Sequence, residues 1–202
     1  MLLHLRRSLV LAVACFVVFG LLYALAGTGV AQALFPSQAN GSIGANGSTL
    51  IGQNWTSTRW FHGRPDDFGP YAADPKKGIS GGDNPLVANG IPGESGATNL
   101  GPRSRTLVAD TRQLIRWWHQ HGVNPTSDLV TTSASGYDPD ISPASAYAQI
   151  PMVAKSTGVT ASTLRRIIAA QVRPAELGFL GSPTVNVLQL NEALARAEPG
   201  GR

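Results

Sequence analysis

An uncharged segment near the N-terminus most strongly constrains what this chain can fold into. Residues 8–58 contain no Asp, Glu, Lys, Arg or His, and residues 8–26, SLVLAVACFVVFGLLYALA, are apolar over 19 positions. A helix of that length rises by about 1.5 Å per residue to about 28 Å, close to a hydrocarbon core of about 30 Å. We therefore predict a transmembrane helix over residues 8–28.

Two other interpretations of this segment remain open. A cleaved signal peptide is supported by the small residues Ala31 and Ala33 in VAQA, and a lipid anchor could be attached at Cys15, the single cysteine. The apolar region of a signal peptide usually has only about 7 to 15 residues, whereas this run continues well past Cys15. Its length favours a retained helix.

The charges around the helix predict its orientation. Arg6 and Arg7 precede it, and the next Lys or Arg after it is Arg59. Because basic flanking residues stay on the cytoplasmic side of a membrane, we expect residues 1–7 to be cytoplasmic. Residues 34–202 are then expected to form one extracytoplasmic domain.

The composition favours a folded domain without a nucleic-acid partner. Of the 202 residues, 43 % are hydrophobic and 14 % are charged, which is too apolar for a disordered chain. The net charge of +4 comes from scattered basic residues, whereas phosphate binding needs several cations on one face.

Two helices are predicted from caps and apolar stripes. Ser104 can cap the helix SRTLVADTRQLIRWWHQHG, which Gly122 would end, and Thr160 starts a second helix. The apolar stripe of the first contains Leu107, Leu114, Ile115 and Trp118, and that of the second contains Leu164, Ile167 and Ile168.

Shorter elements lie between and after these helices. Residues 128–134, DLVTTSA, predict a short strand, and residues 183–197 predict a strand running into a helix. Ser142 and Pro143 are typical of an N-cap and a first helical residue, and Pro151 would kink or end that helix. Helices and strands without regular alternation indicate a small α+β domain.

Two stretches are expected to be turns or loops. The tetrapeptide Ala-Asn-Gly-Ser begins at Ala39 and again at Ala45, and Asn-Gly pairs supply the positive φ of tight turns, so a loop or a hairpin is expected. Residues 69–102 are rich in Gly and Pro and predict a long loop held by contact with a partner.

The chain lacks the motifs of a nucleotide hydrolase. A phosphate-binding G-x-x-x-x-G-K-S/T loop is missing, as are G-x-G-x-x-G and the Asp-Lys-Thr-Gly motif of P-type ATPases. Ser80 in GISGG formally matches a nucleophile elbow, but flanking Asp-Pro and Asn-Pro pairs do not fit the strand and helix that this motif requires. We predict no catalytic residue from these patterns.

The histidines and one acidic pair are the other candidates for chemistry. His119 and His121 form an H-x-H pair that would point to different sides of a helix, so no metal ligand is predicted, and His62 is expected to be packed and hydrogen-bonded. Asp138 and Asp140 do not fit a calcium-binding loop. Asp140 is instead expected to favour the dipole of the helix that Ser142 caps.

Several stretches together resemble one family, the KdpC subunit of the bacterial Kdp potassium-transporting ATPase. The matching segments are FPSQANGS, LIGQNWTSTRWFHGRP from Leu50, TSASGYDPDISPASA with QIPMVA, and LGFLGSPTVNVLQLNEAL from Leu177. They cover nearly the whole chain. The sequence departs from the family pattern at Trp55, Trp60, Met152, residues 66–67 and a longer segment 83–98.

The resemblance implies a single-pass, non-catalytic subunit in the bacterial inner membrane. Its expected partners are a channel-like potassium-binding subunit, an ATP-hydrolysing P-type subunit, a small single-span subunit and membrane lipid. The complex would handle ATP and K⁺, and this chain would have no cofactor of its own. It is expected to support assembly and to raise the ATP affinity of the hydrolysing subunit, as a catalytic chaperone. The rival hypothesis is an exported hydrolase or binding module released by signal cleavage.

Overall fold

The fold is described by a computed structural model of residues 2–53, 55, 57–65 and 97–198. The Ser80 motif, residues 66–67 and most of the predicted loop 69–102 lie outside these residues. Residues 97–102, the described end of that loop, form no helix or strand.

The chain begins with one continuous helical rod of 33 residues, Leu2–Leu34, with a mean hydropathy of 2.7 in its most apolar window. It consists of helix α1 (Leu2–Cys15), a π-helical segment (Phe16–Leu22) and helix α2 (Tyr23–Leu34). None of its apolar window is buried in the protein. At about 1.5 Å per residue the rod is about 50 Å long, which exceeds a hydrocarbon core of about 30 Å.

The chain divides into two compact units, Met1–Ala45 and Asn46–Arg202. Helix α3 (Pro36–Ala39) follows the rod in the first unit. Two-residue strands, β1 (Ile43–Gly44) and β2 (Gly47–Ser48), flank the point of division, where the Asn-Gly turn was predicted. Gly47 has a φ of 129°, a region that L side chains rarely adopt, as the turn interpretation requires.

The second unit is the predicted small α+β domain. Its sheet has the order β3-β5-β4, and both strand pairs are antiparallel. The helices are α4 (Arg105–Gln120), α5 (Pro143–Ala148), α6 (Ile150–Thr157), α7 (Ala161–Gln171) and α8 (Val187–Ala197). The strands are β3 (Asp140–Ile141), β4 (Val172–Arg173) and β5 (Thr184–Asn186).

Side-chain caps start four of these helices. Ser104, Ser142 and Thr160 each accept a hydrogen bond from the backbone N–H three residues later, which confirms the three predicted caps. Asn186 caps α8 in the same way, although the sequence pattern did not predict this cap. Helix α5 ends at Ala148, just before Pro151, as predicted; Pro151 itself lies in the first turn of α6.

The predicted apolar stripes face the core. Leu114 and Trp118 of α4 are fully buried, as are Leu164 and Ile168 of α7. The other predicted stripe residues, Leu107, Ile115 and Ile167, are half-buried. The indole N–H of Trp118 donates to the carbonyl of Leu129 at 2.9 Å, so this large side chain is buried without an unpaired donor.

The predicted strand over residues 128–134 is wrong. The structure has a 3-10 turn at Ser127–Leu129, and no strand forms in this run. Thr131 folds back so that its backbone N–H and its hydroxyl both donate to the carbonyl of Ser127, at 2.9 and 2.8 Å. These local bonds satisfy groups that a strand would have paired with a neighbour.

Candidate functional site

Two of the segments that carry the resemblance, the one from Leu50 and the one that contains Asp138, lie far apart in sequence, and the structure brings them together in the second unit. The backbone N–H of Gly52 donates to the carbonyl of Tyr137 at 2.8 Å. A Cβ atom added at Gly52 would lie 2.7 Å from the carbonyl oxygen of Asp138. Only glycine therefore allows these two backbones to approach so closely.

Replacing Gly52 tests this approach directly. We expect Gly52→Ala to lower the free energy of unfolding by about 1–3 kcal/mol, because the added methyl group overpacks a rigid backbone contact. The measurement is urea unfolding of the full chain in non-ionic detergent, followed by tryptophan fluorescence.

Gly63 provides the matched control for this substitution. A Cβ atom there would lie 3.8 Å from Val187 Cγ2, an ordinary van der Waals contact, so Gly63→Ala is expected to be neutral or slightly stabilising. Equal free energies of unfolding for the two variants would show that the close backbone approach does not require glycine at position 52.

Arg64 lies at the same junction. One guanidinium nitrogen, Nη1, is 3.4 Å from Asp138 Oδ2, and the other, Nη2, donates to the carbonyl of Thr132 at 3.0 Å. An adjoining cavity of about 20 Å³ is lined by Gly52, Arg64, Asp138 and their neighbours. That volume is about the size of one water molecule, so it has no room for a nucleotide.

Two buried amide side chains hold the backbone of the segment that leads to Arg64. Asn191 of α8 accepts from the N–H of Phe61 at 2.8 Å and donates to its carbonyl at 2.9 Å. Gln149 makes the same pair of bonds to His62, at 2.8 and 3.0 Å. Residues 61 and 62 thus have their backbone groups paired by side chains, as a neighbouring strand would otherwise do.

The acidic pair is part of the domain's framework. Asp138 Oδ1 accepts from the backbone N–H of Asp140 at 3.1 Å. The carboxylate of Asp140 accepts from Asn186 at 2.9 Å, from Arg173 at 3.3 Å and from Thr184 at 3.4 Å. Asp140 therefore binds strands β4 and β5, and the carboxylate that is hydrogen-bonded to the start of α5 belongs to another residue.

That residue is Asp128. Its Oδ2 accepts from the backbone N–H of Ser142 at 3.0 Å and from the hydroxyl of Ser145 at 2.8 Å. Burial acts to raise the pKa of Asp128, but the hydrogen bonds from Ser142 and Ser145 outweigh it, and the pKa is lowered. Asp128 lies 14 residues before Ser142, outside the range in which sequence patterns reveal a cap.

His62 is packed as predicted, although its ring is not hydrogen-bonded as expected. It is 1 % exposed, and its ring lies edge-on to those of Trp117 and Trp118, with centroids 6.0 and 5.7 Å away. Neither ring nitrogen has a hydrogen-bond partner in the part of the chain that the structure describes. Burial lowers the pKa of His62 from 6.5 to about 4, so the ring is neutral at pH 7.

The H-x-H pair lies at the end of α4. His119 is in the last turn, and the ring of His121, which follows the helix, stacks on Trp117 with centroids 3.8 Å apart. His121 Nδ1 is also 2.8 Å from the carbonyl of Trp117. Among the described residues, no group of three or more His, Cys, Asp or Glu side chains could hold a metal ion.

Two of the departures from the family pattern contact each other. The rings of Trp55 and Trp60 are 5.3 Å apart, and the guanidinium of Arg59 lies over the Trp60 ring at 5.1 Å. Arg59 also forms an ion pair with Glu198. Met152 is 1 % exposed and belongs to the core, so this departure does not alter a surface contact.

In the part of the chain that the structure describes, this arrangement is that of a protein with one apolar helix long enough to cross a membrane, followed by a small α+β domain. Residues 5–196 match the family model for KdpC, the c chain of K⁺-transporting ATPase. The chain belongs to the KdpC family.

Three relatives are each described as a potassium-transporting ATPase KdpC subunit. The protein from Methylobacterium nodulans is 45 % identical over 96 % of this chain and 97 % of its own length. That from Bradyrhizobium diazoefficiens is 42 % identical over 98 % of both chains. That from Caulobacter vibrioides is 43 % identical over 98 % of this chain and 96 % of its own length.

Proposed function

We propose that this KdpC subunit is a non-catalytic accessory subunit of an ATP-driven, high-affinity potassium importer. It supports assembly of the complex and acts as a catalytic chaperone that raises the ATP affinity of the hydrolysing subunit. Its partners are a channel-like potassium-binding subunit, the ATP-hydrolysing P-type subunit, a small single-span subunit and membrane lipid. ATP and K⁺ are handled by the complex, and this chain has no cofactor of its own.

One observation carries the proposal: three carboxylates in and just before the family segment around Asp138 are bonded within the domain. Asp138 is 3.4 Å from Arg64, and Asp140 is bonded to both strands of the β4–β5 hairpin. Asp128, which binds the start of α5, has a lowered pKa. A general acid needs a raised pKa in a cleft, whereas the pKa of Asp128 is lowered. All three carboxylates are engaged in bonds within the domain, so they are suited to holding the fold.

The charges beside the apolar helix support an orientation with the domain outside the cytoplasm. Arg6 and Arg7 precede the apolar part of the rod, which favours a cytoplasmic N-terminus. An effect on cytoplasmic ATP would then cross the membrane as a coupling free energy, typically about 1–3 kcal/mol. A membrane-impermeant thiol reagent should label Ser162→Cys, an exposed position on α7, in intact cells after Cys15→Ser. Protection of that cysteine in intact cells, with labelling once the cells are opened, would show the opposite orientation.

The chaperone role predicts a change in nucleotide affinity. Omitting this chain from the purified complex should raise the dissociation constant of a non-hydrolysable ATP analogue by about 5- to 150-fold. The affinity is measured by titration of the complex with and without the chain. Adding back the purified full chain should restore it, and an unchanged constant on omission would contradict the proposed function.

A further inference from the structure

The connection between strands β4 and β5 carries an exposed apolar tip, formed by Leu177, Phe179 and Leu180. Their exposed fractions are 80 %, 74 % and 51 %. Leu177 and Phe179 are the most exposed large apolar side chains among the described residues of the second unit. Exposed groups of this kind mark sites that bind another molecule.

The backbone of the tip is closed by its own hydrogen bonds. Glu176 and Leu180 exchange both backbone bonds, at 2.9 and 2.8 Å, and the N–H of Gly178 donates to the carbonyl of Ala175 at 3.0 Å. Leu177 has a φ of +52°, which is unusual for a residue other than glycine. The three apolar side chains are therefore presented by an ordered turn, which lowers the entropy cost of binding.

The base of the hairpin is fixed by the acidic motif. Asp140 of β3 accepts hydrogen bonds from Arg173 on β4 and from Thr184 on β5, one on each strand of the hairpin. Arg173 and Thr184 are also paired across the two strands. The tip is thus tied to the sheet at the point where it leaves the domain.

The charges of the tip distinguish between a lipid and a protein partner. Residues 174–183 contain one charged residue, Glu176, and no Lys or Arg. The preceding cation, Arg173, is 3.3 Å from the carboxylate of Asp140. Segments that bind an anionic lipid surface combine apolar residues with Lys or Arg, so this acidic tip is better suited to a protein surface.

We propose that the apolar tip docks into a non-polar pocket on another protein subunit of the potassium-transporting complex, with a cationic side chain facing Glu176 at the rim. This inference rests on the proposed function, because it requires partner subunits. Large apolar side chains that enter a pocket at the centre of an interface commonly dominate its affinity. The tip would then hold the domain in the complex.

The first test replaces the tip in the full complex. The triple variant Leu177→Ser/Phe179→Ser/Leu180→Ser should reduce retention of this chain in the complex at least about tenfold during purification of the other subunits in non-ionic detergent. Leu50→Ser/Val108→Ser is the matched control, since these residues are 54 % and 39 % exposed, and it should be retained like the wild type. An unchanged urea midpoint of the isolated full chain shows that the triple variant folds.

The second test identifies the molecule that the tip contacts. A photo-crosslinking amino acid at Phe179 in membranes containing the complex should form an adduct with another subunit. Adducts with lipid alone, or none, would overturn the inference, as would normal retention of the triple variant. Glu176→Lys should weaken retention, and stronger retention would reject the cation at the rim.

The two proposals can fail separately. If omission of the whole chain lowers ATP affinity while the triple variant is retained normally, the docking inference alone is wrong. If the adduct at Phe179 forms while omission leaves ATP affinity unchanged, the chaperone function alone is wrong.

Discussion

Asn191→Leu is expected to lower the free energy of unfolding by about 2–6 kcal/mol. The substitution removes both partners of Phe61, its N–H acceptor at 2.8 Å and its carbonyl donor at 2.9 Å. Asn191 is 1 % exposed and Phe61 is fully buried, so water cannot replace these bonds. Each buried backbone group left without a partner costs about 1–3 kcal/mol.

Urea unfolding of the full chain in detergent measures this loss. All four tryptophans lie at residues 55–118, so their fluorescence follows the second unit. Gln189→Leu is the control, because Gln189 lies on the same helix and is only half-buried. A loss below about 1 kcal/mol for Asn191→Leu, or an equal loss for the control, would show that Asn191 does not hold the Phe61 backbone.

The second large effect is an acid destabilisation that originates at His62. The folded pKa of about 4 lies below the value of 6.5 expected when the ring is solvated, because burial penalises the charged form. The unfolded chain therefore binds a proton at higher pH than the folded chain does. The free energy of unfolding should be highest above pH 6.5. It should fall by about 3 kcal/mol in total as the pH drops from 6.5 to 4.

His62→Phe separates this effect from those of other groups. Phenylalanine keeps an aromatic ring against Trp117 and Trp118 and cannot be protonated, so the fall between pH 6.5 and 4 should disappear. His119→Gln changes an exposed histidine on α4 and should leave the fall intact. If His62→Phe unfolds with the same pH dependence as the wild type, the acid sensitivity comes from another residue.

Protonation of Asp128 should lower the stability at a lower pH than protonation of His62 does. Its pKa is lowered below 3.8 by the bonds from Ser142 and Ser145, so the stability that it supplies is present above pH 3.8. That stability is lost only as the pH falls through the lower folded pKa. The two groups can therefore be distinguished in one pH titration.

Helix starts were predictable because their signals are local. Ser104, Ser142 and Thr160 each bond a backbone N–H three residues later, within a range that a short sequence window shows. The apolar rod was predicted for the same reason, although it extends over Leu2–Leu34. The strand expected at residues 128–134 failed because local bonds of Thr131 and the distant partners of Asp128 determine that turn.

The family segments determined the membership of this chain, but not what their residues do. Asn191 and Phe61 are 130 positions apart, and Asp140 and Arg173 are 33 apart. No periodicity or spacing in the sequence predicts contacts between residues this far apart, because such contacts form only when the helices and strands pack together.

The sequence by itself determined an apolar membrane-length helix, a small α+β domain, most of the helix caps and the family. Each follows from the hydrophobicity of neighbouring residues, from hydrogen bonds within one helical turn, or from the order of the motifs. Only the tertiary structure decided that Asp128 binds α5, that Asp140 ties the β4–β5 hairpin to the sheet, and that two amides hold the backbone at residues 61 and 62. A carboxylate or an amide can form hydrogen bonds with many different groups, and packing determines which of them lies within hydrogen-bond distance.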